Sequence, residues 1–202
     1  QGKPGDKTLA ALRDAVEAPR QELFRRLNMA QAGTATLVHF RERLLKLVAK
    51  RPDLRGIDED LPHLLASWFN RGFLRLERID WHTPAALLEK LIEYEAVHEI
   101  DGWDDLRLRL ASDRRCFAFF HPAMPDEPLI FVEVALIEGM PDATAPLIDK
   151  QRAIGDPAEA DTAVFYSISN CQDGLRGISF GNFLIKQVVG ELSAEFPNLK
   201  TF

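Results

Sequence analysis

The segment Gln172-Asp173-Gly174-Leu175-Arg176-Gly177-Ile178-Ser179-Phe180-Gly181-Asn182 has the residue types to hold a polyanion. It places three glycines and several small polar residues between a buried strand-like run and a helix start. A helix N-terminus offers unpaired N–H groups and about half a positive charge. Glycines let a phosphate approach such backbone closely. Arg176 and Lys186 would add positive charge nearby, so local dipoles could override an acidic chain. The competing reading is an ordinary Gly-rich connection with a helix docked on a sheet. No G-K-[ST] follows, so this is not a Walker loop. The strands before it read as a hairpin rather than a βαβ unit, which excludes a Rossmann fingerprint.

Other residues could do chemistry, and each has a plainer role. His121 stands at a strand end before Pro122, where a site role competes with capping or packing. His98 follows an amphipathic helix, and His39, His63 and His82 lie among helical segments as surface or packing residues. Ser167 and Ser169 alternate with Tyr166 and Ile168, so one strand face could line an acyl pocket or simply be buried. Asp126-Glu127 reads as a solvated turn. Cys116 and Cys171 each lie in an apolar run and read as buried free thiols of a reducing compartment, the cytoplasm. No C-x-x-C or other metal-ligand spacing is present.

The elements that must position these residues change character along the chain. Leu9, Leu12 and Val16 recur at helical spacing up to Pro19, and Leu23 and Leu27 follow. Thr34 is a candidate cap for a helix carrying Leu37, Phe40, Leu44, Leu47 and Val48. Asp58 or Asp60 opens a segment with Pro62 in its first turn and a stripe of Leu61, Leu65, Trp68 and Phe69. Thr83-Pro84 marks the start of a helix with Leu87, Leu88, Leu91 and Ile92, and a short helix spans 103–110. Then 116–120 and 129–136 read as an antiparallel hairpin, 138–162 as a long loop with a short helix near Pro146, 163–169 as a third strand and 183–196 as a final helix. The boundary between an all-helical region and an α+β region is expected near residue 94.

Composition bounds the rest. The chain has 202 residues, 46% hydrophobic and 28% charged, with 13 Phe and 3 Trp, enough bulk for a core. Twenty-five basic against 31 acidic residues, without a basic cluster, argue against nucleic-acid binding. No apolar run approaches the roughly 20 residues a membrane helix needs. The chain starts at Gln1, has no signal-peptide pattern, and stops at Phe202 in an apolar continuation. Both ends are expected to be cuts.

Arg176-Gly177-Ile178-Ser179-Phe180-Gly181 is similar to the pyrophosphate loop of GNAT-type acyltransferases, with Ser179 where the pattern has a middle Gly. Longer runs resemble the malonyl-CoA decarboxylase family: Tyr94-Glu95-Ala96-Val97-His98, Arg114-Arg115-Cys116, His121-Pro122, Pro125-Asp126-Glu127-Pro128-Leu129, Val134-Ala135-Leu136, Phe165-Tyr166-Ser167-Ile168-Ser169, Gly174-Leu175-Arg176-Gly177, Phe183-Leu184-Ile185-Lys186 and Glu195-Phe196-Pro197. The resemblance covers the chain in detail from residue 94 onward and implies an α+β protein. A helical self-association domain (1–93) would precede the first part of a GNAT-like catalytic domain with a mixed sheet (94–202). It implies conversion of malonyl-CoA to acetyl-CoA and carbon dioxide, without metal or organic cofactor, by a homo-oligomer (dimer or tetramer). Carried over by position, the CoA-contacting residues are Arg176, Gly177, Ile178, Ser179, Phe180, Gly181 and Asn182. Some members carry a Glu with a supporting role where this chain has Ser179. The family's catalytic Ser, in a Ser-Pro-x-Pro-Gly-Phe motif after the Glu-Phe-Pro helix end, and its His are expected beyond Phe202, so no catalytic residue is assigned within this chain. An acyl-CoA-dependent acyltransferase and a non-catalytic CoA-binding self-association module are the alternatives.

Overall fold

The computed structural model describes residue 8 and residues 19–180 and 183–202, which group into two units. The helix expected from Leu9 to Val16 lies outside the described residues.

The first unit is helical. It contains α1 (Pro19–Asn28), α2 (Gly33–Val48), α3 (Arg55–Glu59), α4 (Pro62–Trp68) and the distant segment Asp173–Ser179. Phe24, Leu37, Val38, Leu44, Leu61, Leu64, Leu65 and Phe69 are buried in it. Asp60, also buried, accepts from Arg20 Nε at 2.8 Å and Gln21 Nε2 at 3.1 Å, which ties α1 to the start of α4. Its carboxyl sits below the usual carboxylate range, held there chiefly by the Gln21 hydrogen bond. The entry to α2 differs from the expected Thr34 cap. Ala32 turns the chain in the left-handed region (φ 55°), and Thr34 lies inside the helix, donating to Asn28 Oδ1 at 2.8 Å. Gly33 is required there, because a Cβ would stand 2.0 Å from the Leu27 carbonyl oxygen. On the expected apolar stripe of α2, Leu37 and Leu44 are buried, whereas Phe40 and Leu47 are exposed.

The second unit holds residues 70–172 and 180–202 around one sheet. Its strands are β1 (Arg75–Ile79), β2 (Arg114–Phe120), β3 (Ile130–Ile137) and β4 (Thr162–Asn170), in that order and all antiparallel. β2 is buried at every residue and β3 at all but its last, with Arg114, Arg115 and Glu133 buried among mostly apolar neighbours in a sheet covered on both faces. α5 (Ala85–Tyr94) and α6 (Gly102–Arg109) complete a core that includes Ile79, Leu88, Leu91, Ile100, Leu106, Phe120 and Phe131. α7 (Ala145–Ile148) is the short helix near Pro146, and α8 (Phe183–Glu195) buries Leu184, Val188 and Leu192.

The α+β class holds, with two corrections. The expected mixed sheet is antiparallel, and among the described residues its only parallel pairing is the bridge Thr162–Thr201. The boundary expected near residue 94 falls at Phe69/Asn70. The reason is β1, which pairs along its length with β2 (Leu76 opposite Phe119, Ile79 opposite Cys116) and so draws 70–93 into the sheet unit.

Candidate functional site

The chain leaves β4 through Cys171 and Gln172, both buried, and Gln172 Nε2 donates to the Pro128 carbonyl at 3.0 Å. Residues Asp173–Leu175 then make a 3₁₀ turn. Arg176 N–H donates to the Asp173 carbonyl at 3.1 Å and Ile178 N–H to the Leu175 carbonyl at 2.9 Å. These two amides are used by the tight turn itself, and the expected place of unpaired amides, where the final helix begins at 181–182, lies outside the described residues. The Arg176 side chain, mostly exposed, pairs with Asp173 Oδ1 at 2.9 Å. Gly177 turns the loop in the left-handed region (φ +84°), and both Gly177 and Ser179 are exposed. Phe180 groups with the sheet unit, and Gly181 and Asn182 lie outside the described residues.

What seats this loop is α2. A Cβ on Gly174 would stand 2.0 Å from the Val38 carbonyl oxygen, so only glycine permits the approach. Arg41, 4% exposed, donates from one terminal nitrogen to the carbonyls of Gly174 and Arg176, each at 2.8 Å. Its Nε donates to Asp58 Oδ1 at 2.8 Å. A buried guanidinium thus has three acceptors, as burial of a charge demands. Sequence reasoning passed over Arg41, although a charge among Leu37, Val38 and Leu44 at helical spacing was a signal.

The sheet unit contains a second buried polar group. Glu95 accepts at one carboxylate oxygen from Val97 N–H (2.9 Å) and His98 N–H (2.8 Å). The Ser167 hydroxyl donates to the same carboxylate at 2.7 Å and the Ser169 hydroxyl at 2.9 Å. Ser167 and Ser169 are therefore structural anchors, occupied by Glu95. Arg109 Nη1 donates to Glu133 at 3.1 Å and its Nε to Asp105 at 3.3 Å, all three residues buried. Arg109 is shared by the two acids, and Lys150 Nζ also lies 3.8 Å from Asp105. Burial pushes the Glu133 carboxyl up to about 7, Arg109 opposes the rise, and Glu95 adds to it. Burial also raises the Cys116 and Cys171 thiols, which makes them poor nucleophiles.

Two histidines engage neighbouring turn and ring groups. His121 Nδ1 accepts from Ala123 N–H at 3.1 Å and its ring lies edge-on to Phe73 at 6.1 Å. His98 packs beside Tyr166 (6.4 Å between rings), and its carbonyl accepts from Arg109. Glu127 accepts from Lys90 Nζ at 2.7 Å, so the Asp126-Glu127 turn is tied to α5. A cavity of about 290 Å³ in the sheet unit is lined by Asp113, Arg114, Leu147 and Arg152 among others. Arg114 and Arg152 both pair there with Asp113, at 3.0 and 2.6 Å, and Arg114 also donates to the Leu147 carbonyl at 2.9 Å. Among the described residues no group of three His, Cys, Asp or Glu could hold a metal ion, and no helix is long and apolar enough to cross a membrane.

Residues 1–69 match the family model described as the malonyl-CoA decarboxylase N-terminal domain, and residues 72–202 match that of the C-terminal domain. Mitochondrial malonyl-CoA decarboxylase of Mus musculus is 38% identical across 95% of this chain, and that of Anser anser anser 37% across 89%. The alignments cover 40% and 37% of those proteins. Among solved structures, malonyl-CoA decarboxylase from Rhodopseudomonas palustris superposes with a TM-score of 0.91 at 59% identity, over 96% of this chain and 48% of that one. The Agrobacterium vitis protein gives 0.90 at 60% identity, over 98% and 49%. The chain thus spans about two fifths of the curated relatives and about half of the solved ones. The two domain models meet within three residues of the division between the structural units, and the sequence and fold agree along both: the chain belongs to the malonyl-CoA decarboxylase family.

Proposed function

We propose that the protein acts in the conversion of malonyl-CoA to acetyl-CoA and carbon dioxide, with residues 176–182 forming part of its CoA cradle. The observation that carries this reading is the loop after β4, exposed at Gly177 and Ser179, with Arg41 holding the Gly174 and Arg176 carbonyls that lead into it. A peptide whose carbonyl is held inward offers its N–H outward, the polarity a diphosphate requires. Loss of carbon dioxide from a malonyl thioester leaves an enolate. Donors must stabilise the thioester oxygen as charge develops, and a proton must then reach carbon. Glu95 occupies the Ser167 and Ser169 hydroxyls, and a turn amide holds His121 Nδ1. Following the family resemblance, we assign the reacting Ser and His to sequence beyond Phe202 and take the reaction to need no metal or organic cofactor.

Two further assignments go with this reading. Exposed Leu23, Leu27, Met29, Phe40 and Leu47 on the helical unit support its use in self-association. The two buried, unpaired thiols support a reducing compartment, which we take to be the cytoplasm.

The test is direct. The full-length protein, supplied with malonyl-CoA alone, is expected to release acetyl-CoA and carbon dioxide in equal amounts. Turnover only when an amine acceptor is added would make it an acyltransferase. CoA binding without turnover would make it a non-catalytic module.

A further inference from the structure

We propose that Arg41 is a positioning residue for substrate binding, gripping the CoA loop from behind so that the Gly177 amide faces the substrate diphosphate. This rests on the functional reading above and deepens it. In a trans peptide the C=O and N–H of one unit point in opposite directions, and no cis peptide interrupts the described chain. Arg41 fixes the Arg176 carbonyl at 2.8 Å, so the N–H of that same peptide, belonging to Gly177, is directed away from α2. Gly177 is exposed, and its left-handed backbone turns the chain at that peptide. The second grip, on the Gly174 carbonyl, fixes the other end of the turn, and the Gly174 contact with Val38 prevents sliding along the helix.

Two physical effects follow. Ordering the loop before substrate arrives removes an entropic cost from binding. A cation on the carbonyl also polarises the peptide, so its N–H becomes a stronger donor to an anion on the far side. Asp58 holds the guanidinium plane and partly offsets its charge, which favours orientation over long-range attraction as its main effect. Lysine could not do this, because a single ammonium lacks the planar fork that reaches Asp58 and two carbonyls together.

The experiment compares Arg41→Met with wild type in the full-length protein on two substrates, malonyl-CoA and malonyl-pantetheine, which lacks the diphosphate. The expected result is a KM for malonyl-CoA raised about tenfold, as for loss of one charge-assisted hydrogen bond, with kcat within a factor of two. The kcat/KM for malonyl-pantetheine should stay unchanged. Equal losses on both substrates would make Arg41 merely structural and overturn the proposal, as would an unchanged KM for malonyl-CoA. Should Arg41→Met fail to fold, Arg41→Lys carries the same comparison, and the same results support or overturn the proposal. Absence of turnover of malonyl-CoA by wild type would instead overturn the functional reading, an outcome separate from any effect of Arg41.

Discussion

Arg109→Met is expected to lower the unfolding free energy of the sheet unit by about 3–5 kcal/mol, the scale for stripping one partner from a buried ion pair. Arg109 stands between Asp105 and Glu133, and also donates to the His98 carbonyl at 3.3 Å. Without it two buried carboxyls lose their common cation, and Tyr166 loses the guanidinium stacked 5.8 Å from its ring centre. A loss of this size approaches the whole stability of a small domain. Urea denaturation of wild type and variant at pH 7 measures it. Adding Glu133→Gln to the variant should restore part of the loss, because one stranded acid is gone, and that non-additivity marks the shared network. A loss below about 1 kcal/mol would mean that solvent reaches the cluster.

Glu133 should also make stability depend on pH in an unusual direction. Its ordinary value is 4.5, and burial raises it to about 7 in the fold. The groups that face it are Arg109 across the hydrogen bond, with Glu95, Tyr166 and Cys116 close enough to interact. Between pH 4.5 and 7 the folded protein holds the proton that the unfolded chain has released. Its contribution is therefore fully present below about 4.5 and is lost as pH rises through about 7. At about 1.4 kcal/mol per pH unit, the loss across that window is about 3 kcal/mol. Denaturation profiles of wild type and Glu133→Gln should diverge accordingly, with the variant relatively more stable above pH 7. Parallel profiles from pH 4.5 to 8 would show that Glu133 stays ionised throughout.

The elements that position the site were partly legible. The hairpin of β2 and β3 announces itself through mostly apolar runs, interrupted within β3 only by Glu133, because strands covered on both faces need little polar side. β1 does not, since Arg75-Leu76-Glu77-Arg78-Ile79 is an edge strand with its charges toward solvent, and such a segment looks like a connection. Missing it put the domain boundary some twenty-five residues too late. Thr34 and Thr83 both resembled helix caps. Thr34 instead reaches back to Asn28, and Thr83 Oγ1 accepts from Asp80 N–H at 3.0 Å in the turn before α5. Either hydroxyl can satisfy a nearby loop group as readily as a helix end.

The loop itself stood out because glycines between a strand and a helix are a local signal. Its support did not, because Arg41 is 133 and 135 residues from the carbonyls it holds, and no periodicity spans that distance. The same limit hid the role of Ser167 and Ser169. Their alternation placed both hydroxyls on one face of β4, but only folding brings Glu95 to them, 72 and 74 residues away. A carboxylate closing on two hydroxyls turns what resembled a pocket lining into part of the core.

Substrate binding as proposed requires a nucleotide diphosphate to rest on the outward amides of the loop after β4. A crystal structure of the full-length protein with CoA bound tests this most directly. Diphosphate oxygens should lie at about 2.8–3.1 Å from the Gly177 amide, with Arg41 still on the Gly174 and Arg176 carbonyls behind it. Diphosphate bound on any other element, with the Gly177 amide turned inward, would contradict the proposal.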